Sequence, residues 1–143
     1  MAVKVAEEWL NICGGCEVSI LDIGEPLLDI LPNLEFVHMP VLMDHKYFGQ
    51  TGEGTELTIP EADIGIVSGG AAREANQAIP AGLDVYFTGE AAEYSMNYAR
   101  EEGIHYIAAG HHATERFGVI ALGQHLAEKF GLDIEFIDVP NPV

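Results

Sequence analysis

Two short segments of the sequence carry residue types that could do chemistry. The segment GHHATE places His111 and Glu115 four residues apart, after an apolar run and before a long helical pattern. If this segment opens a helix, the two side chains share one face of its first turn, while His112 faces elsewhere. Imidazole and carboxylate donors suit a divalent first-row metal ion such as zinc, manganese or iron. The alternative from spacing alone is a capped helix with incidental histidines.

The second segment is the turn CGGC, which contains both cysteines of the chain, Cys13 and Cys16. Two cysteines cannot build a disulfide framework, and they cannot fill a tetrahedral all-thiolate site by themselves. A C-x-x-C pair in a chain that is not secreted indicates redox chemistry or metal binding. The alternative is a pair of inert thiols.

Composition limits the partners of these sites. The 143 residues carry 23 Asp and Glu against 6 Lys and Arg, which gives a formal net charge of −17. This charge repels phosphate backbones and anionic lipid heads, so we expect no nucleic acid and no membrane surface as a partner. The first ten residues lack the basic start of a signal peptide, and no apolar run is long enough to span a bilayer. We therefore expect a soluble cytoplasmic protein.

The elements that must position these residues are short apolar strands that alternate with helices. Strands are predicted over residues 3–10, 34–39, 63–68, 84–88, 104–109 and 134–139. Helices are predicted from residue 17 to about 31 and over 71–81, 91–102 and 114–130, with a Gly-rich loop over 44–58. Gly103 and Gly131 are typical helix-ending residues.

This alternation predicts a single α/β domain over residues 1–143. Strands joined through helices pair in parallel, so we expect a doubly wound, flavodoxin-like or Rossmann-like layer. It has a mostly parallel sheet of about six strands with helices on both faces. Ligand sites in such sheets lie at the carboxyl ends of strands, and the Gly-rich turns of this chain fall there.

Four separated blocks follow one another in the second half of the chain. They read VSGG (67–70), DVYFTGE (84–90), AGHHATER (109–116) and FIDVPNP (136–142). From about residue 66 to 143 the chain thereby resembles the C-terminal part of the NIF-three-like family, whose members are named GTP cyclohydrolase 1 type 2 homologues. The resemblance implies a metal-dependent hydrolase with a two-metal site. It also allows a homo-oligomer.

By this resemblance, His111 and Glu115 are metal ligands, and Glu90 lines the same cleft as a candidate catalytic residue. The alternative for Glu90 is a neighbour of a helix N-cap. The family's further ligands are a His-His pair and an Asp. They have no clear match here, because the sequence around the upstream candidates does not resemble that of the family. These candidates are His38, Asp44 and His45. With two ligands instead of five, we expect weak metal binding and little or no hydrolase activity.

The first half of the chain contains different blocks. They read WLNICGGCEVSILD (9–22), VHMPVLMD (37–44) and ADIGIV (62–67). They resemble the N-terminal part of nickel–iron hydrogenase small subunits of the methanogen type. This resemblance implies that Cys13 and Cys16 give two of four thiolates to a 4Fe–4S cluster, and it alone implies a hydrogenase large subunit as partner. The chain has no further cysteine, so a cluster needs thiolates from a partner or a second copy.

The two resemblances meet at the strand over residues 63–70. They suggest a mosaic within one domain, in which residues 1–70 are hydrogenase-like and residues 71–143 are NIF-three-like. An engineered or recombined chimera is our hypothesis for its origin. Three functions follow from it: a metal-binding module, an iron–sulfur electron-transfer module, and a folded chimera without activity.

Overall fold

The computed structural model describes residues 1–8, 20, 23–39, 61–67 and 69–141. Within these ranges the strands are β1 (Val3–Glu8), β2 (Leu34–His38), β3 (Ile64–Val67), β4 (Val85–Thr88) and β5 (His105–Ala108). The helices are α1 (Glu25–Ile30), α2 (Ala75–Ala78), α3 (Ser95–Glu102) and α4 (His111–Phe130). Short 3-10 turns occupy Leu31–Asn33 and Ala72–Glu74. The CGGC turn and the loop predicted over 44–58 lie outside the described residues.

The strands form one parallel sheet in the order β2-β1-β3-β4-β5. Val5 of β1 pairs with Ile64 of β3, and Ile64 pairs in turn with Val85 of β4. Val85 then pairs with His105 of β5. This sequence of neighbours is the flavodoxin-like strand order. The predicted α/β fold class with a parallel sheet is therefore confirmed.

The core lies where the residues after β3 pack against β4 and β5. Its buried members are mostly small side chains around one tyrosine: Val67, Ala71, Ala75, Ala78, Tyr86 and Ile104. The Tyr86 hydroxyl donates a hydrogen bond to the carbonyl oxygen of Ala71 at 2.7 Å, and its ring centroid lies 5.5 Å from that of Tyr106. Burial raises the pKa of Tyr86, so this hydroxyl keeps its proton and remains a donor. Tyr86 thus joins β4 to the turn that follows β3.

The helix ends agree with the sequence better than the helix starts. Gly103 and Gly131 end α3 and α4 in the left-handed conformation, as predicted. In contrast, α3 begins at Ser95 and not at residue 91. The backbone N–H of Ala92 donates to the Ser95 hydroxyl oxygen at 3.0 Å, which holds residues 92–95 in a turn. Serine side chains favour such local bonds over a helical first turn.

The strand predicted over 134–139 is not formed, so the described residues contain five strands and not about six. These residues are exposed and extend along α4. Ile134 packs against Gly123, and the Asp138 carboxylate accepts a hydrogen bond from Arg116 at 2.8 Å. The alternating apolar side chains of this segment contact a helix, α4, and not another layer of the sheet. A strand also needs hydrogen bonds from a neighbouring strand, and its backbone enters no pairing of the sheet.

Helix α4 is long but little covered. None of its 20 residues is buried, and several apolar side chains, including Phe117 and Leu122, are exposed. A groove of about 410 Å³ runs between α4 and residues 134–136, and its lining is largely apolar. The lining includes none of the residues predicted to do chemistry. No helix among the described residues is long and apolar enough to cross a membrane.

Candidate metal centre

Three turns meet at the carboxyl ends of β3, β4 and β5. The backbone N–H of Gly89, after β4, donates to the carbonyl oxygen of Gly69, after β3, at 3.1 Å. The N–H of Gly110, after β5, donates to the carbonyl oxygen of Gly89 at 2.9 Å. The Thr88 hydroxyl adds a bond to the same Gly69 oxygen at 3.1 Å. The hydrogen-bond ladder therefore continues past the strands and brings the three turns side by side.

Glycine is required where the turns approach each other. A Cβ at position 89 would lie 2.8 Å from the carbonyl oxygen of Gly69, closer than real Cβ contacts come. Gly110 has a φ of 91°, a conformation that side-chain-bearing residues rarely adopt, and it directly precedes the first residue of α4. These two residues let the chain turn from β5 into α4 beside the neighbouring turn. As a result, His111 is placed over the ends of the strands.

The imidazole of His111 lies between two carboxylates. Its Nδ1 atom is 2.6 Å from Oε1 of Glu90, and its Nε2 atom is 3.1 Å from Oε1 of Glu115. All three side chains are half-buried, with 37%, 45% and 34% of their surfaces exposed for His111, Glu90 and Glu115. The i, i+4 spacing of His111 and Glu115 places them on one face of the first turn of α4, as the sequence predicted.

The two carboxylates act on the protonation of His111. The hydrogen bond to Glu90 is the main cause that raises the pKa of His111. Partial burial opposes this shift, because it disfavours the charged ring, and the negative charge of Glu115 adds to it. The metal-free site therefore holds a proton on the imidazole more firmly than an isolated histidine does.

The donor types of His111 and Glu115 fit a divalent first-row metal ion. The Nε2 atom and a Glu115 oxygen face each other, and both are common ligands of zinc, manganese and iron. Glu90 lies on the opposite side of the ring, so an ion shared by Nε2 and Glu115 is out of its reach. Consistent with this, no group of three or more candidate ligand side chains occurs among the described residues.

The other residues singled out in the sequence are not brought to this cluster. His38 is buried at the end of β2, the sheet edge opposite β5. Four strand spacings of about 4.8 Å put roughly 19 Å between the two edges. His112 points away from the cluster, with Nε2 3.6 Å from an oxygen of Asp138. Four residues lie outside the described ranges: Cys13, Cys16, Asp44 and His45.

Two residues, one at the site and one on the segment after α4, make contacts that the sequence does not predict. The Tyr106 hydroxyl donates to the backbone oxygen of Glu90 at 2.8 Å and so fixes the turn after β4. Nothing in the local pattern around Tyr106, an apolar strand, indicated this role. Asp138 pairs with Arg116 at 2.8 Å and lies near His112. Asp138 stands in FIDVPNP, one of the four blocks that resemble the NIF-three-like family, and this resemblance is the signal that could have indicated it.

Comparisons with known proteins agree on the second half of the chain. Residues 54–142 match the family model described as Duf34/NIF3 (NGG1p interacting factor 3). The GTP cyclohydrolase 1 type 2 homolog of Pseudomonas aeruginosa is 53% identical over 83 residues, which are 58% of this chain and 33% of that protein. The homolog of Pasteurella multocida is 46% identical over 79 residues, 55% of this chain and 32% of that protein.

Among solved structures, a protein described as ybgI, of unknown function, is similar to this chain. It has 45% sequence identity and a TM-score of 0.48, over 56% of this chain and 32% of the other. The chain thus spans about a third of the length of the curated relatives named above.

The comparisons support one of the two resemblances in the sequence. The family match begins at residue 54, upstream of the strand where the sequence suggested the NIF-three-like part to start. These findings give no support to the hydrogenase-like first half, and therefore none to the mosaic. The iron–sulfur site at Cys13 and Cys16 stays a prediction from sequence.

Proposed function

The chain belongs to the Duf34/NIF3 family, and on this premise we propose that it is a metal-binding module. In it, His111 and Glu115 hold a divalent ion of the zinc, manganese or iron type. The observation that carries the proposal is the approach of His111 Nε2 to Glu115 Oε1, at 3.1 Å on one helical turn. An ion that takes the place of the shared proton would find two ligands of suitable chemistry already facing each other.

The surroundings of the pair support this function. Both ligands stand on the first turn of α4, which follows directly from β5, so their backbones are fixed by the sheet. The site lies at the carboxyl ends of parallel strands, where α/β proteins bind ligands. When bound, a divalent ion there supplies Lewis acidity toward an oxygen atom of a substrate or of water.

The relatives suggest a hydrolase, but this chain matches only part of their length. The relatives named above are called GTP cyclohydrolase 1 type 2 homologs, which suggests a nucleotide-like substrate for the complete proteins. This chain spans about a third of their length, and its described residues offer two facing ligands. We therefore propose weak metal binding, with little or no hydrolase turnover by this chain alone.

The test is a metal-loading experiment with matched variants. Protein purified without oxygen is first analysed for acid-labile sulfide and then brought to equilibrium dialysis against zinc, manganese(II) or iron(II) in turn, so that bound metal is measured in the presence of free metal. We expect bound metal in the wild type and its loss in His111→Ala and in Glu115→Gln. His125→Ala and Glu128→Gln change the same residue types on the exposed side of α4 and should keep the metal.

Two results would contradict the proposal. Equal metal content in wild type and His111→Ala would place the ion elsewhere. Absence of every metal from the wild type would leave a folded protein without this function. Acid-labile sulfide that disappears in Cys13→Ala would instead favour the iron–sulfur alternative.

A further inference from the structure

The carboxylate of Glu90 contacts the ring nitrogen of His111 that faces away from Glu115. Its Oε1 atom is 2.6 Å from Nδ1, the shortest of the polar contacts around the imidazole. Ionised carboxylates only accept hydrogen bonds, so the charged ring donates from Nδ1 to Glu90 and from Nε2 to Glu115, and a neutral ring keeps the proton of the shorter contact, on Nδ1. With Nδ1 as the donor, the neutral ring has its lone pair on Nε2. This is the nitrogen that points at Glu115.

The backbone of Glu90 is held by the core. Its backbone oxygen accepts the hydrogen bond from the Tyr106 hydroxyl at 2.8 Å, and the Tyr106 ring packs against buried Tyr86. Its carboxylate lies over Gly70, where an added Cβ would be 3.3 Å from Oε2. Because its backbone is held by the core, Glu90 brings its carboxylate to Nδ1 from a fixed point and can orient the imidazole.

We propose that Glu90 is a positioning residue that selects the Nδ1–H tautomer of His111 and thereby offers Nε2, with Glu115, to the metal ion. The inference rests on the proposed function, and it gives Glu90 a role different from the catalytic one suggested by its sequence. Without Glu90, the neutral ring can carry its proton on Nε2 and donate it to Glu115. An incoming ion must then displace the only proton of the neutral ring from Nε2, and no carboxylate is present to accept a hydrogen bond from Nδ1.

The first test uses metal-free protein and does not depend on metal binding. In ¹⁵N-histidine-labelled protein at alkaline pH, where imidazoles are neutral, nitrogen chemical shifts report the tautomer of His111. We expect Nδ1–H in the wild type and a shift toward Nε2–H in Glu90→Ala. Glu93→Ala changes an exposed carboxylate in the same loop and should leave the tautomer unchanged.

The second test measures the affinity for zinc by competition with a chelating dye. We expect Glu90→Ala to weaken binding by about 10- to 100-fold, the usual effect of removing the partner of a ligating histidine. Glu90→Gln keeps an acceptor oxygen, so it should retain the Nδ1–H tautomer and lose less affinity than Glu90→Ala. Unfolding by urea, followed by circular dichroism, confirms that each variant is folded.

The outcomes separate the two proposals. An unchanged tautomer in folded Glu90→Ala overturns the role of Glu90, even where His111→Ala abolishes metal binding and the proposed function stands. Equal losses of affinity in Glu90→Ala and Glu90→Gln also overturn it, since they indicate an effect of charge alone. A wild type that binds no zinc, manganese or iron overturns the proposed function and with it the metal role of Glu90.

Discussion

Gly89 and His111 come so close that a Cβ at position 89 would lie 3.0 Å from the Cα atom of His111. The same Cβ would lie 2.8 Å from the carbonyl oxygen of Gly69. Both neighbours are backbone atoms, which cannot swing aside as a side chain can. The spacing between the turns after β4 and β5 therefore depends on the absence of a side chain at this position.

Replacement of this glycine should disturb both stability and the site. We expect Gly89→Ala to lower the free energy of unfolding by about 1–3 kcal/mol, the usual cost of overpacking, and to weaken zinc binding through displacement of His111. Gly70→Ala is the matched control, because its Cβ would meet only the movable carboxylate of Glu90 at 3.3 Å. Urea unfolding of the two variants measures the difference. Equal costs would show that the turns can move apart freely.

The raised pKa of His111 predicts a pH dependence of stability in metal-free protein. The hydrogen bond to Glu90 raises the pKa in the folded state above that of the unfolded chain, about 6.5. The resulting stabilisation is fully present below the unfolded pKa and is lost as the pH rises through the folded one. The difference in free energy of unfolding between wild type and Glu90→Gln should therefore be largest below about pH 6.5 and shrink as the pH rises above it. A difference that grows with pH would contradict this cause of the shift.

The ion pair of Arg116 with Asp138 predicts where the chain after α4 is held. Asp138→Asn removes the charge from the 2.8 Å contact and from the 3.6 Å approach of His112. We expect faster cleavage by an added protease within residues 132–141, with a loss of global stability below about 1 kcal/mol, because the pair is half-exposed. Asp133→Asn, an exposed change in the same segment, is the control. Cleavage at the same rate in both variants would mean that apolar contacts alone hold the segment.

The hydroxyl of Tyr106 predicts a separate effect on the turn that contains Glu90. Tyr106→Phe keeps the ring and removes the 2.8 Å hydrogen bond to the backbone of Glu90. We expect a cost of about 0.5–1.5 kcal/mol and faster hydrogen exchange over residues 88–94. Tyr98→Phe changes a tyrosine that packs against the same core cluster and should leave that exchange unaltered. If exchange over residues 88–94 changes in neither variant, the hydroxyl of Tyr106 does not hold this turn.

The sequence predicted the parts of the fold that depend on local patterns. Strands β3, β4 and β5 were placed within a residue or two, because each is a short apolar run bounded by glycine or a polar residue. The ends of α3 and α4 were placed correctly by Gly103 and Gly131. The strand predicted over 134–139 is not formed. Alternation of apolar and polar residues predicts a segment with one covered side, but it does not distinguish a neighbouring strand from a neighbouring helix.

In the candidate site, too, local sequence patterns predict some contacts and not others. The pairing of His111 with Glu115 follows from their i, i+4 spacing on a helix, which is visible in the sequence. Contact of Glu90 with His111 depends on the pairing of β4 with β5 and on the glycine at position 89, so residue spacing does not predict the distance between the two side chains. The role of Tyr106 depends on a long-range hydrogen bond from a strand to a turn, and no local residue pattern predicts this bond.

The strand register also bears on how the chain folds. Ile64 pairs with Val85, and Val85 pairs with His105, so the strands that carry the site join neighbours that are near in the chain. Val5 must find Ile64 across a much longer stretch. Closing a longer loop costs more chain entropy, and contacts between distant residues form more slowly. We therefore expect β3, β4 and β5 to gain protection in pulsed hydrogen exchange before β1 does, so that the surroundings of His111 form ahead of the completed sheet.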